Sequence, residues 1–161
     1  MNKINTKTFK YPIPDKIDEY CYDQGKIVSI DKAEIINTWK VIENWKPNQE
    51  EGTRDGYVNV SMLYANQPDA ELKLKFKGKA VGIAVAAGPD AGMIEYSIDD
   101  GPFMELDLFT KWSKQLHLPW YYVLDSELSP KKHMLTIRIS KDRNSESQGN
   151  ACRIKHFFIN E

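Results

Sequence analysis

Apolar and polar residues alternate most clearly from Ala70 to Lys77, where Leu72, Leu74 and Phe76 interleave with Glu71, Lys73, Lys75 and Lys77. A period of two with one charged face predicts an antiparallel strand, dry on one side and wet on the other. Gly78 ends it. Ala80 to Ala87 follows as a run apolar on both faces, the pattern of a central strand. The Gly88-Pro89-Asp90-Ala91-Gly92 turn then returns the chain through Ile94, Tyr96 and Ile98, which alternate with Glu95, Ser97 and Asp99.

The same grammar extends in both directions. Lys26 to Ile30 alternates weakly and reads as a first strand. Ala33 to Trp45 carries Ile35, Ile36, Trp39, Val41, Ile42 and Trp45, a β-branched and tryptophan-rich content that favours short strands over a helix. Tyr57 to Tyr64 is a mixed strand candidate after the polar loop Pro47 to Gly56. Beyond the Asp99-Asp100-Gly101-Pro102 turn, Tyr121 to Leu124 reads as a short strand and Met134 to Ser140 as an alternating one. The last strand is expected to place Cys152, Ile154, His156 and Phe158 on one face and Arg153, Lys155 and Phe157 on the other. About nine short strands between Gly, Pro and Asp turns, with little helix, predict an all-β fold, an antiparallel β-sandwich.

A length of 161 residues predicts one domain with a sizeable core, and 41% hydrophobic content is that of a globular chain. Residues 1–25, with Pro12, Pro14 and Gly25, read as a linker or lead-in to a sandwich over 26–161. Met1 to Lys10 is polar and lacks a hydrophobic signal-peptide core, so no signal peptide is expected in this sequence. A net charge of -1, from 22 basic and 23 acidic residues, argues against nucleic acid or an anionic membrane as partner. Cys21 and Cys152 are too few for a zinc site, and their spacing leaves their redox state open.

Candidate chemistry is sparse. His117, His133 and His156 lie in separate segments without ligand spacing, and each has a structural role as its first reading. No cofactor is expected. Calcium stays open, with Asp90, Asp99, Asp100 and Asp107 as candidates that also suit solvated turns. Gly-x-Ser-x-Gly is absent, and nothing singles out a carboxylate pair for glycoside hydrolysis. The concentrated feature is the window 103–122, which holds Phe103, Phe109, Trp112, Trp120, Tyr121 and Tyr122 with Asp107, Thr110, Lys111, Gln115 and His117 interleaved. Two readings stand for it. Its rings either pack in the core or against another domain, or they offer flat apolar faces beside hydrogen-bonding groups, as a sugar requires.

Three groups of motifs carry a resemblance. The first is Trp39 and Trp45-x-Pro47, Thr53-Arg54-x-Gly56, Asn59-Val60 and Leu74-x-Phe76-x-Gly78. The second is Ala80-Val81-Gly82, the run Ala86 to Gly92, and Glu95 to Asp99. The third is Asp107-Leu108-Phe109-Thr110-x-Trp112-Ser113, Leu116 to Tyr121, and Arg153-Ile154-x-His156-Phe157. Over residues 11 to 160 the sequence resembles the accessory C-terminal β-sandwich beside the catalytic domain of bacterial SGNH/GDSL-type hydrolases.

The resemblance implies a galactose-binding-like jelly roll attached to an esterase or acylhydrolase acting on carbohydrates, periplasmic or extracellular as part of its parent protein. The Gly-Asp-Ser, Gly-x-Asn and Asp-x-x-His catalytic blocks of that superfamily are missing, so this chain is expected not to be an enzyme. The expected role is a carbohydrate-binding or substrate-positioning module, with glycan and the parent's catalytic domain as partners. Trp112, Trp120, Tyr121 and Tyr122 are the candidates for stacking, and Arg54, Asp90 and His117 for hydrogen bonding. The alternatives are a packing domain without a ligand and an independent hydrolase.

Overall fold

The computed structural model describes residues 10–47 and 51–161. The polar stretch read at the N-terminus therefore lies, for residues 1–9, outside the described residues, as do positions 48–50 of the polar loop. Eleven strands are present among the described residues, more than the alternation alone suggests, and no α-helix. They are β1 (Gly25–Val28), β2 (Ala33–Ile35), β3 (Lys40–Trp45), β4 (Val60–Ala65), β5 (Glu71–Lys77) and β6 (Ala80–Ala87). There follow β7 (Met93–Ile98), β8 (Met104–Asp107), β9 (Leu118–Asp125), β10 (Lys132–Ile139) and β11 (Cys152–Asn160).

The strands form two antiparallel sheets, which pack as a sandwich. One, sheet I, runs β3-β4-β11-β6-β9, with β1 beside the second half of β11. The other, sheet II, runs β2-β5-β10-β7-β8. The alternation in β5 does what its pattern predicts: Leu72, Leu74 and Phe76 are buried while Lys75 and Lys77 face solvent. Leu74 pairs with Leu135 and Leu72 with Ile137, so one apolar layer crosses sheet II and meets Ile83, Val85, Ile154 and Phe157 of sheet I.

β6 is buried along its whole length because both its faces are covered. Val81, Ile83 and Val85 face the main core, whereas Ala84 and Ala86 join a second cluster with Trp45, Tyr57 and Met62 on the outside of sheet I. The residues of β6 and its continuation on that outer side, Gly82, Ala84, Ala86 and Gly88, are all small. A Cβ on Gly82 would lie 2.2 Å from the Phe158 ring and 2.4 Å from the Tyr122 carbonyl oxygen, so only glycine fits there.

The last strand departs from simple alternation. Ile154 pairs with Val85 but His156 pairs with the adjacent Ala84, so Lys155 is an extra residue in a β-bulge. A bulge reverses the phase of the side chains beyond it. Cys152 and Ile154 face the core before it, and Phe157 and Ile159 face the core after it. The expectation that His156 and Phe158 share the face of Cys152 and Ile154 is thereby corrected. Burial pushes the Cys152 thiol up to about 12, despite the nearby Arg153, and both cysteines are free.

Candidate functional site

The outer face of sheet I carries a cleft of about 500 Å³ at the end where β3, β4 and β11 meet the turn after β6. Its centre is Arg153, which faces outward between the core residues Cys152 and Ile154, ahead of the bulge. Arg153 is 6% exposed, covered by Trp45 and Tyr64, whose ring centroids lie 5.2 and 5.4 Å from its guanidinium carbon. Its two terminal nitrogens donate to the two oxygens of Asp90, Nη1 at 2.8 Å and Nη2 at 2.5 Å, a bidentate fork that fixes both planes. The Nε of Arg153 is buried without a partner.

Asp90 sits on the turn Gly88 to Gly92, which the loop 141–151 holds from outside. Gln148 donates its backbone N–H to the Pro89 carbonyl at 2.9 Å, Ala151 donates to the Asp90 carbonyl at 2.8 Å, and Ser147 Oγ donates to the Ala91 carbonyl at 2.7 Å. Burial pushes the Asp90 carboxyl up, but His117 and Arg153 outweigh it and hold the group well below the usual carboxylate range. Burial likewise raises the Tyr64 hydroxyl, against the pull of Arg153, so Tyr64 enters the cleft as a neutral phenol.

His117 closes the far wall. Its backbone N–H donates to the Gly52 carbonyl at 2.7 Å, which ties the segment before β9 to the loop before β4. Its ring meets Trp45 edge-on at 5.0 Å and lies so close to Gly88 that a Cβ there would be 2.2 Å from the imidazole. Nδ1 stands 2.9 Å from Glu51 Oε2 and Nε2 stands 3.6 Å from Asp90 Oδ1. Those distances suit charge pairing, but neither ring nitrogen completes an aligned hydrogen bond, although the residue is only 4% exposed. The ring is wedged between the Glu51 and Asp90 carboxylates and shapes the wall of the cleft, with both ring nitrogens turned away from its open space.

No protein-family model and no curated protein matches this sequence. Solved structures do. The chain is similar to a two-domain esterase active on acetylated mannans, with a TM-score of 0.70 and 9% identity over 97% of this chain and 41% of that one. It is similar to a Paenibacillus xanthan lyase, with a TM-score of 0.57 and 14% identity over 84% of this chain and 13% of that one. An exo-β-1,3-galactanase from Phanerochaete chrysosporium bound to β-1,3-galactotriose gives 0.55 and 11%, over 84% and 29%. The likeness is one of fold. The chain spans about two fifths, or less, of the length of each of these proteins.

Of the residues singled out from the sequence, His117 and Asp90 come together at the cleft. The others are dispersed. Arg54 is exposed on the loop before β4, where its Nη1 donates to the neighbouring Thr53 carbonyl at 3.1 Å. Trp112 is exposed, with Lys111 Nζ 4.6 Å above its ring. Strand β9 begins at Leu118 rather than Tyr121, so its alternation turns Trp120 and Tyr122 toward the main core and Tyr121 outward over Ala84. Phe109 also packs in the core, so half of the aromatic window is interior.

Three of the four acidic candidates for calcium are otherwise engaged, Asp90 by Arg153. Asp99 accepts from the Met134 backbone at 2.9 Å and pairs with His133 at 2.8 Å, while Asp107 accepts from Phe109 at 2.8 Å and Asn144 at 2.6 Å. Among the described residues, no group of three or more His, Cys, Asp or Glu side chains is placed to hold a metal ion. Sequence reasoning did not find Trp45, Tyr64, Glu51 or Arg153, which arrive from four different segments. The row of small residues Gly82, Ala84, Ala86 and Gly88 signals bulky cover on that face and so points to Trp45, which packs over Ala84 and Ala86, but no local pattern points to Tyr64, Glu51 or Arg153.

Proposed function

We propose that this chain is a non-catalytic carbohydrate-binding or substrate-positioning module of a larger bacterial SGNH/GDSL-type esterase acting on carbohydrates, and that the Tyr64–Arg153–His117 cleft is its binding site. The observation that carries this reading is a cleft of about 500 Å³ in which the fixed Arg153–Asp90 fork stands beside the apolar and aromatic side chains of Ile42, Trp45 and Tyr64. A sugar supplies hydroxyl acceptors and donors for such groups and a C–H face for the flank of Tyr64 or Ile42. Esters are not hydrolysed by this reading, because neither a nucleophile block nor its base is present in the sequence. The proteins of similar fold, an esterase active on acetylated mannans and a galactanase bound to galactotriose, support carbohydrate as the ligand class. The same proposal takes the parent protein to be periplasmic or extracellular.

Calorimetric titration with mannan and β-1,3-galactan oligosaccharides tests the reading. A saturable one-to-one isotherm is expected, weakened at least tenfold, about 1.4 kcal/mol, in the His117→Ala variant. Absence of binding to any oligosaccharide by the folded chain would contradict it.

One observation favours a second reading, a face packed on the catalytic domain of the same parent. Ile27, Phe158, Gly82 and Val123 lie in one row across β1, β11, β6 and β9, with Ile27 and Val123 exposed and Tyr121 exposed beside them. An apolar row of this kind on an open sheet face suits an interdomain contact. In a longer chain containing both domains, the row is expected to be protected from hydrogen exchange; unchanged protection at β9 and β1 would argue against the contact.

A further inference from the structure

The charge of the cleft selects among sugars, and this step rests on the reading of the cleft as a carbohydrate site. Five side chains of the cleft carry full charge: Lys40, Lys46 and Arg153 against Glu51 and Asp90. Asp90 is already engaged by Arg153 through the bidentate fork, which leaves the two lysines facing the single carboxylate of Glu51. Lys40 and Lys46 are exposed at the mouth, and neither forms an ion pair among the described residues. Lys40 lies directly opposite Tyr64 in the β3–β4 register, with its Nζ 5.3 Å from the centre of the Tyr64 ring. The ammonium therefore stands at the rim of the cleft, over the Tyr64 ring. The cationic surplus is local, since the chain as a whole has a net charge of -1.

We propose that the cleft takes an acidic sugar, a uronate or another carboxylate-bearing residue, whose carboxylate is met by Lys40 and Lys46 while its hydroxyls reach the Tyr64 phenol and the part-exposed edge of Asp90. Lysine suits this role because its ammonium is a flexible point charge that can follow a carboxylate without a fixed fork. At an exposed mouth the attraction is screened by salt, so selectivity must fall as ionic strength rises.

The test is calorimetric titration of the whole chain with tri- or tetragalacturonate and with the uncharged galacto-oligosaccharide of equal length, at low and near-physiological ionic strength. The acidic oligosaccharide is expected to bind at least tenfold tighter at low salt, with the gap narrowing as salt is added. A K40Q/K46Q double variant is expected to bind both ligands alike while keeping the thermal midpoint of the unmodified chain, since both lysines are exposed. Equal affinity for the two ligands, a preference for the neutral one, or an acidic preference unchanged in the double variant would overturn the inference while leaving the carbohydrate reading intact. Binding of neither ligand, nor of the neutral mannan and galactan oligosaccharides, would overturn both.

Discussion

Replacing Arg153 with methionine is expected to lower stability and abolish glycan binding together. The substitution keeps much of the apolar stem but leaves the Asp90 carboxylate without its fork, beside a largely buried imidazole. Removing one partner of a buried pair costs about 3–5 kcal/mol, and because the Asp90 side chain is 35% exposed, a loss of about 2–3 kcal/mol is expected here. In a chain of this size that is a fall of about 5–10 °C in the thermal midpoint. Lysine at this position is not expected to rescue it, because an ammonium cannot reproduce the two parallel bonds.

The pH dependence follows from the same pair. Asp90 has a folded pKa below its unfolded value, so its contribution is fully present above about pH 4 and is lost as pH falls toward the folded value. Calorimetric scans between about pH 5 and 2 should show a steeper loss of stability in the unmodified protein than in the Arg153→Met variant. Equal slopes would mean that the pair contributes nothing to folding.

Phe157→Ala is expected to be the most damaging single truncation in the sheets, by about 3–5 kcal/mol. Phe157 is fully buried at 0% exposure, in the central strand β11, among Ile83, Ile154 and the apolar layer of sheet II. Its neighbour Phe158 lies on the opposite, outer face, against Gly82 and partly open to solvent. Phe158→Ala is therefore expected to cost under about 1.5 kcal/mol. Denaturant titrations of the two variants measure the phase of the strand directly. The reverse ranking would mean that the bulge at Lys155 is absent.

That bulge also marks the limit of what can be read from the sequence. β5 and β6 are legible because a strand with one or two dry faces must show its faces as a period of two or a continuous apolar run. The turns at Gly88–Gly92 and Asp99–Pro102 are legible because their residues are those that tight turns need. A bulge has no such signature: alternation places Arg153 opposite Cys152 and Ile154, as observed, but His156, Phe157 and Phe158 could follow either phase, and only pairing with β6 decides it. The phase in turn decides which of Phe157 and Phe158 enters the core.

The site itself is further from view. Asp90 and Arg153 are 63 residues apart in sequence, and Glu51 meets His117 across a loop contact that no local pattern announces. Aromatic density drew attention to the window 103–122, but density says nothing of direction. Once β9 is seen to start at Leu118, its alternation commits Trp120 and Tyr122 to the interior. His117 is different because it precedes the strand and is steered outward by Gly88, where no side chain stands in the way.

Nuclear magnetic resonance of the uniformly labelled chain during glycan titration measures the central claim most directly. With an oligosaccharide that binds, the largest shifts are predicted at the His117 ring, the Arg153 Nε–H and the backbone amides of Asp90, Tyr64 and Lys40. Shifts confined to Trp112 and Arg54, to the exposed face of sheet II, or to the row through Ile27 and Val123 would contradict it.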